Sequence, residues 1–181
     1  MKLAIGCDHT VTGLKDEVVK YLKSRGHQVI DCGTYDLTRT HYPIYGRQVA
    51  LLVAKKQVDQ GIVICGTGVG ISVSANKVKG IRCALVADVY TAIKAKEAYN
   101  ANIIACGGRV IGIGSIINIV EEFLKAKYQH QNSDLIALVD KQIKTLNDDP
   151  KLFDEIICNW EEGKYTNGEK QDKIPLPKIS L

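Results

Sequence analysis

Residues 61–71 read Gly-Ile-Val-Ile-Cys-Gly-Thr-Gly-Val-Gly-Ile, a β-branched run that delivers Cys65 to the mouth of a glycine-rich turn. Glycines in such a turn take positive φ at little steric cost and let a ligand approach the backbone. The amides of Gly66, Gly68, Val69 and Gly70 can then converge on one anion, and the helix that follows adds its positive dipole end. The same field favours thiolate over thiol at Cys65. A base beside an oxyanion cradle suits proton abstraction next to a carbonyl.

Two plainer readings compete. A cysteine ending a strand is ordinarily a small buried hydrophobe. The glycines also resemble a nucleotide-binding turn, with Asp88 placed where a ribose-binding acid would stand. The spacing is G-x-G-x-G rather than G-x-G-x-x-G, however, and the turn follows the third strand. The first turn, Gly6-Cys7-Asp8-His9-Thr10, has no glycine fingerprint.

The elements that must position this turn alternate regularly. Short apolar runs at Leu3–Cys7, Gln28–Cys32, Ile62–Cys65, Cys83–Val86 and Asn102–Cys106 predict strands buried on both faces. Between them, Leu14, Val18, Val19 and Leu22 recur at helical spacing, a second helix opens at Pro43, and Asp88 can cap the helix carrying Ala92 and Ala95. Ile113, Ile116, Ile117, Val120, Phe123 and Leu124 form the cleanest amphipathic stripe. The pattern predicts an α/β, Rossmann-like doubly wound sheet of about five parallel strands, helices on both faces, spanning 1–130. A helical extension and tail, 131–181, follow, with helices expected around Leu135–Leu146 and Phe153–Trp160 and a polar tail from Gly163. Ligands bind such sheets at the carboxyl ends of the strands. There, beside Asp8, the His9 imidazole can meet a sugar hydroxyl or a phosphate, Arg109 an anion, and Tyr42 can line a sugar site. Tyr35, Asp36 and Lys55–Lys56 read as solvated surface.

Composition narrows the classes. The 181 residues are 45% hydrophobic and 24% charged with a net charge of +4, as in an ordinary globular protein. Arginines and lysines are scattered, so no nucleic-acid partner is expected. No run approaches the ~18 apolar residues of a membrane span, and no signal peptide is visible. The six cysteines form no C-x-x-C pair and no metal-ligand spacing, and a reducing cytoplasm fits best.

Gly6-Cys7-Asp8-His9, Asp31-Cys32-Gly33-Thr34, Arg39-Thr40-His41-Tyr42-Pro43, Ile64 to Ile71, Ala75-Asn76-Lys77, Gly80-Ile81-Arg82 and Gly107 to Gly112 resemble, in order, the ribose-5-phosphate isomerase B / galactose-6-phosphate isomerase family. Within it the length and the acidic, aromatic segment from Phe153 to Glu161 resemble the galactose 6-phosphate branch. The resemblance implies an aldose–ketose isomerase working through a cis-enediolate, without metal or cofactor. Cys65 would be the base, assisted by Thr67; the amides of Gly66 to Gly70 would hold the oxyanion; Asp8, His9 and Arg109 would bind the sugar phosphate. Family pockets lie at subunit interfaces.

The departures are informative. Homodimeric members carry a ring-opening histidine followed by asparagine, where this chain has Ala98 and Tyr99. They also carry a phosphate-clamping pair of arginines where this chain has Tyr128-Gln129-His130-Gln131-Asn132-Ser133. Alanine does not titrate and a phenol ionises only near pH ~10; losing a bidentate arginine removes the best geometry for a phosphate dianion. A homologous subunit is therefore expected to supply the histidine and arginines, with D-galactose 6-phosphate and D-tagatose 6-phosphate as the interconverted pair. Ribose 5-phosphate or allose 6-phosphate is the alternative substrate. A nucleotide-binding module and a non-catalytic partner subunit are the alternatives of another class.

Overall fold

A computed structural model describes residues 1–142 together with Glu155, Cys158, Asn159 and Glu162. The chain separates into two compact units, Met1–Thr145 and Leu146–Leu181. In the first, strands β1 (Lys2–Cys7), β2 (Gln28–Asp31), β3 (Gln60–Cys65), β4 (Cys83–Leu85) and β5 (Ile103–Gly107) alternate with helices. These are α1 (Thr12–Ser24), α2 (Tyr42–Ala54), α3 (Val69–Ala75), α4 (Val89–Glu97) and α5 (Ile113–Lys125), followed by α6 (Ser133–Gln142). The expected helix around Phe153–Trp160 and the tail from Gly163 lie outside the described residues, apart from helical Glu155, Cys158 and Asn159.

The strands form one parallel sheet in the order β2-β1-β3-β5-β4, the α/β architecture expected from the alternating pattern. Every residue of β3 and β5 is buried, which is why their sequences read as continuous apolar runs rather than alternating ones. On one face Leu3, Ile5, Ile62, Ile64 and Ile104 pack with Val18, Leu22, Ile116, Val120 and Phe123 from α1 and α5. Each fully buried side chain of this size stabilises the fold by roughly 1.5–3 kcal/mol. On the other face α2 lies unusually close. A Cβ on Gly61 would stand 2.6 Å from Val49 Cγ1 and 3.0 Å from Ile103 Cγ1.

Strand β3 begins two residues before the apolar run does, because its register with β1 and β5 places Gln60 beside Leu3 and Gly61 beside Ile103. The exposed side of β4 is closed by a side chain: Asn76 Nδ2 donates to Cys83 O at 2.8 Å and Cys83 N–H donates to Asn76 Oδ1 at 2.8 Å. An amide side chain thus takes the place of a sixth strand. Asp88 caps α4 by accepting the Thr91 N–H at 2.7 Å.

The chain passes from β1 outward to β2, then crosses back to β3 on the far side of β1. Between β1 and β3 the winding reverses, and loops leaving their carboxyl ends diverge to leave a crevice. Cys7-Asp8-His9 leaves one side of it and Cys65-Gly66-Thr67 the other. Among the described residues, no helix is long and apolar enough to cross a membrane.

Candidate active site

Cys65 ends β3 with its side chain 4% exposed, and its sulfur receives the Gly68 N–H at 3.1 Å. That bond requires the turn to double back within three residues, which it does through Gly68 at φ +80°. A Cβ on Gly68 would stand 2.6 Å from Leu85 Cδ1 and 2.8 Å from the main-chain carbonyl carbon of Cys106, so no other residue fits without displacement. The turn is also sewn to the loop after β5, where Gly108 N–H donates to Cys65 O at 2.9 Å and Arg109 N–H to Gly66 O at 3.0 Å.

The amides that could meet an oxyanion are not equivalent. Gly68 N–H is engaged by the Cys65 sulfur, and Val69 N–H donates to Thr67 Oγ1 at 3.3 Å. Ser72 N–H closes the first α3 turn onto Gly68 O. The second and third amides of a helix have no intrahelical acceptor, and in α3 these belong to Gly70 and Ile71. Thr67 is exposed, with its hydroxyl held by that Val69 bond.

Across the crevice, Asp8 is buried and caps a short 3₁₀ turn, His9–Val11. Its Oδ1 accepts both the N–H and the hydroxyl of Thr10, so Oδ2 is the oxygen left for a ligand. Gly66 lies between the two sides: a Cβ there would stand 3.6 Å from Thr10 Oγ1 and 3.5 Å from Arg109 Cδ. The stem of Arg109 thus passes over Gly66, and its guanidinium is carried at the rim. His9 is half-buried and held by a residue 31 positions away. Thr40 N–H donates to His9 Nδ1 at 3.2 Å, with Thr40 O also 3.2 Å from that nitrogen. That nitrogen accepts the Thr40 N–H when bare or donates to Thr40 O when protonated, and either bond fixes the ring against the Thr40 main chain.

Tyr42, at the start of α2, lays its ring on the glycine turn; a Cβ on Gly70 would stand 2.7–3.0 Å from three of its ring carbons. All ten candidate residues, Asp8, His9, Tyr42, Cys65 to Gly70 and Arg109, therefore surround one crevice. Ala98 and Tyr99 do not. They follow α4, which returns to the amino ends of the strands, while Ile103 pairs with Gly61 and Gly107 with Cys65. Four residues of strand, about 13 Å, separate those levels. Tyr99 and Asn132 instead line a cavity of about 750 Å³ with Ile81, Leu135 and Val139.

Sequence reasoning missed three supports. Thr40 orients His9, and its hydroxyl lies 3.1 Å from the buried Tyr45 hydroxyl. Thr10 fixes Asp8. Lys15 is wholly buried against Asp31; its place three residues before the apolar Val18 is the one available signal. The remaining buried cysteines of the sheet are kept as thiols: burial pushes Cys7, Cys32 and Cys106 up to about 12, and Cys83 higher still. Among the described residues, no group of three His, Cys, Asp or Glu is placed to hold a metal ion.

A parallel sheet with a thiol seated in a glycine turn at its switch point is a doubly wound α/β protein with its ligand crevice at the carboxyl ends of the strands. The chain matches the family described as Ribose/Galactose Isomerase over residues 3–142, and it belongs to that family. It is 54% identical to the galactose-6-phosphate isomerase subunit LacB of Clostridium acetobutylicum over 91% of this chain and 98% of that protein. It is 48% identical to ribose-5-phosphate isomerase B of Escherichia coli over 71% of this chain and 86% of that one. Among solved structures, ribose-5-phosphate isomerase B of Clostridium thermocellum superposes with a TM-score of 0.76 at 43% identity, covering 78% of this chain and 96% of its own. The protein is a sugar-phosphate isomerase of the aldose–ketose type.

Proposed function

We propose that this chain is one subunit of an isomerase that interconverts D-galactose 6-phosphate and D-tagatose 6-phosphate, its active site completed by a homologous subunit. The substrate assignment rests on the 54% identity to a galactose-6-phosphate isomerase subunit along nearly the whole of both chains.

The placement of residues 98–99 supports the shared site. The family's ring-opening position is filled by Ala98 here, and it belongs to the amino-end side of the sheet, on the order of 13 Å along the strands from Cys65. A histidine at that position therefore serves the thiol of another subunit, not its own. This chain offers the thiol and the turn; a homologue carrying histidine and arginines offers the rest.

In the resulting mechanism the Cys65 thiolate removes the proton from C2 of the open-chain aldose. The electron pair left at C2 forms the C1–C2 double bond of the enediolate, and negative charge moves to the carbonyl oxygen. The Gly70 and Ile71 amides stabilise that oxygen with Thr67 assisting, the proton of the C2 hydroxyl passes to the C1 oxygen, and as the C2 oxygen becomes the ketose carbonyl the proton returns from sulfur to C1. Asp8 Oδ2 orients sugar hydroxyls, while His9 Nε2 and Arg109 meet the phosphate end. Tyr42 walls the pocket on the side of Gly70.

The test is to assay the purified chain alone and mixed with its homologue, on galactose 6-phosphate and ribose 5-phosphate in D₂O. The expected result is activity only in the mixture, preference for the hexose phosphate, and solvent deuterium at the transferred position. Full activity of the chain alone would refute the shared site, and preference for the pentose would refute the substrate.

A further inference from the structure

Lys15 on α1 has a side chain with no solvent exposure, although a lysine ammonium is strongly hydrated in water. It is held by charge: Nζ lies 2.6 Å from Asp31 Oδ2 and 2.7 Å from Asp16 Oδ1, and 5.1 Å from the centre of the Tyr35 ring. Burial works against its charge, yet the bonds to Asp16 and Asp31 keep its pKa above the ordinary lysine value.

Two of these partners, Asp31 and Tyr35, lie where the loop leaves β2. Asp31 accepts Lys15 on one carboxylate oxygen and the Gly33 N–H, at 2.9 Å, on the other. Tyr35 donates its hydroxyl to Asp31 O at 2.9 Å. The loop then crosses the end of β1, where Cys7 N–H donates to Gly33 O at 2.6 Å and Thr34 N–H to Cys7 O at 2.8 Å. Thr12, also on α1, donates to Asp36 O at 2.8 Å. At its far end the loop presents the Thr40 main chain to His9.

We propose that Lys15 is a positioning residue for the isomerase site: clamped to Asp31, it fixes the 33–41 loop, and through Thr40 that loop fixes the orientation of His9. The Lys15 side chain has no exposed surface, so it touches no reacting atom. The carboxylate acts as a two-sided fastener. Without the ammonium, Asp31 is drawn to solvent and its bond to Gly33 is lost, which loosens the start of the loop and, through it, the seat of Thr40. The kinetic part of this proposal rests on the reading of His9 as a substrate-facing residue; the structural part does not.

Two measurements on the full chain test it. Nitrogen NMR near pH ~8 reports which ring nitrogen of His9 carries the proton, with the signal assigned by its loss in His9→Gln. The wild type should hold one dominant tautomer, whichever the Thr40 main chain selects at Nδ1, and Lys15→Met should average the two while the other histidines stay unchanged. The second measurement is kcat/KM of the assembled isomerase. Lys15→Met should cost about tenfold when His9 is present and less than about twofold in a His9→Ala background, the non-additivity of residues acting in series. Equal losses in both backgrounds, a wild-type His9 that already averages, or an unchanged tautomer in a folded Lys15→Met each overturn the proposal. Should Lys15→Met not fold, Asp31→Asn removes the same ion pair and takes both measurements with the same expectations. A coupled tautomer change without kinetic coupling leaves the loop linkage standing and overturns the role assigned to His9.

Discussion

Replacing Gly68 by alanine separates the two demands the glycine turn places on residue 68. The first is conformational: φ is +80°, and an L-residue in the left-handed region costs about 1–2 kcal/mol. The second is spatial: the new Cβ would lie 2.6 Å from Leu85 Cδ1, 2.8 Å from the Cys106 carbonyl carbon and 3.0 Å from Gly107 N. Leu85 can turn aside, but the Cys106–Gly107 peptide belongs to a fully buried strand and cannot. Overpacking of that kind costs roughly 1–3 kcal/mol, for a total of about 2–5 kcal/mol. Gly80 supplies the control, because it has φ +81° with nothing within 4 Å of the added Cβ. Gly80→Ala should therefore cost only about 1–2 kcal/mol. Urea unfolding of both variants measures the difference, which should be about 1–3 kcal/mol. Gly68→Ala should also lower kcat by about 10²-fold, because any retreat of the turn moves the amide that holds the Cys65 sulfur; Gly80→Ala should not. Equal stabilities for the two variants would refute the close-approach reasoning. Unchanged turnover in Gly68→Ala would remove the sulfur–amide contact from the mechanism.

Cys65→Ser should lower kcat by at least the ~10²–10⁴-fold of a positioned base, read in the isomerisation assay, with KM little changed. Native alkylation followed by mass spectrometry should modify exposed Cys158 and spare Cys7, Cys32, Cys83 and Cys106, which are buried with their thiols pushed up; substrate should slow modification of Cys65. His41 is held below the ordinary histidine pKa by burial, with Arg39 and His9 repelling its charge. The unfolded chain therefore binds a proton at this residue before the folded one does. Stability should be undiminished above pH ~6.5 and decline as pH falls below it, and thermal melts of His41→Gln should show a shallower decline. Tyr42→Ala should raise KM more than it lowers kcat, since its ring lies against the turn at Gly70.

The reach of the sequence and its limit have the same physical origin. The strand-then-glycine order around Cys65 is covalent, so the thiol's place at the head of a turn was legible from eleven residues. The alternation of buried runs with helical stripes was equally local, and right-handed crossovers leave few ways to assemble it. The strand order β2-β1-β3-β5-β4 is decided by packing, however, and with it the crevice between β1 and β3. Which amides remain open is likewise tertiary, because Gly68 is taken by the sulfur and Val69 by Thr67. Thr40 reaches His9 across 31 positions and Lys15 reaches Asp31 across 16. No periodicity carries such pairs, because they form only after helices and loops dock from different crossovers. The sequence by itself determined which residues could react and in what local setting. Tertiary structure decided which of them meet, since burial and charge pairing act between segments the chain order keeps apart.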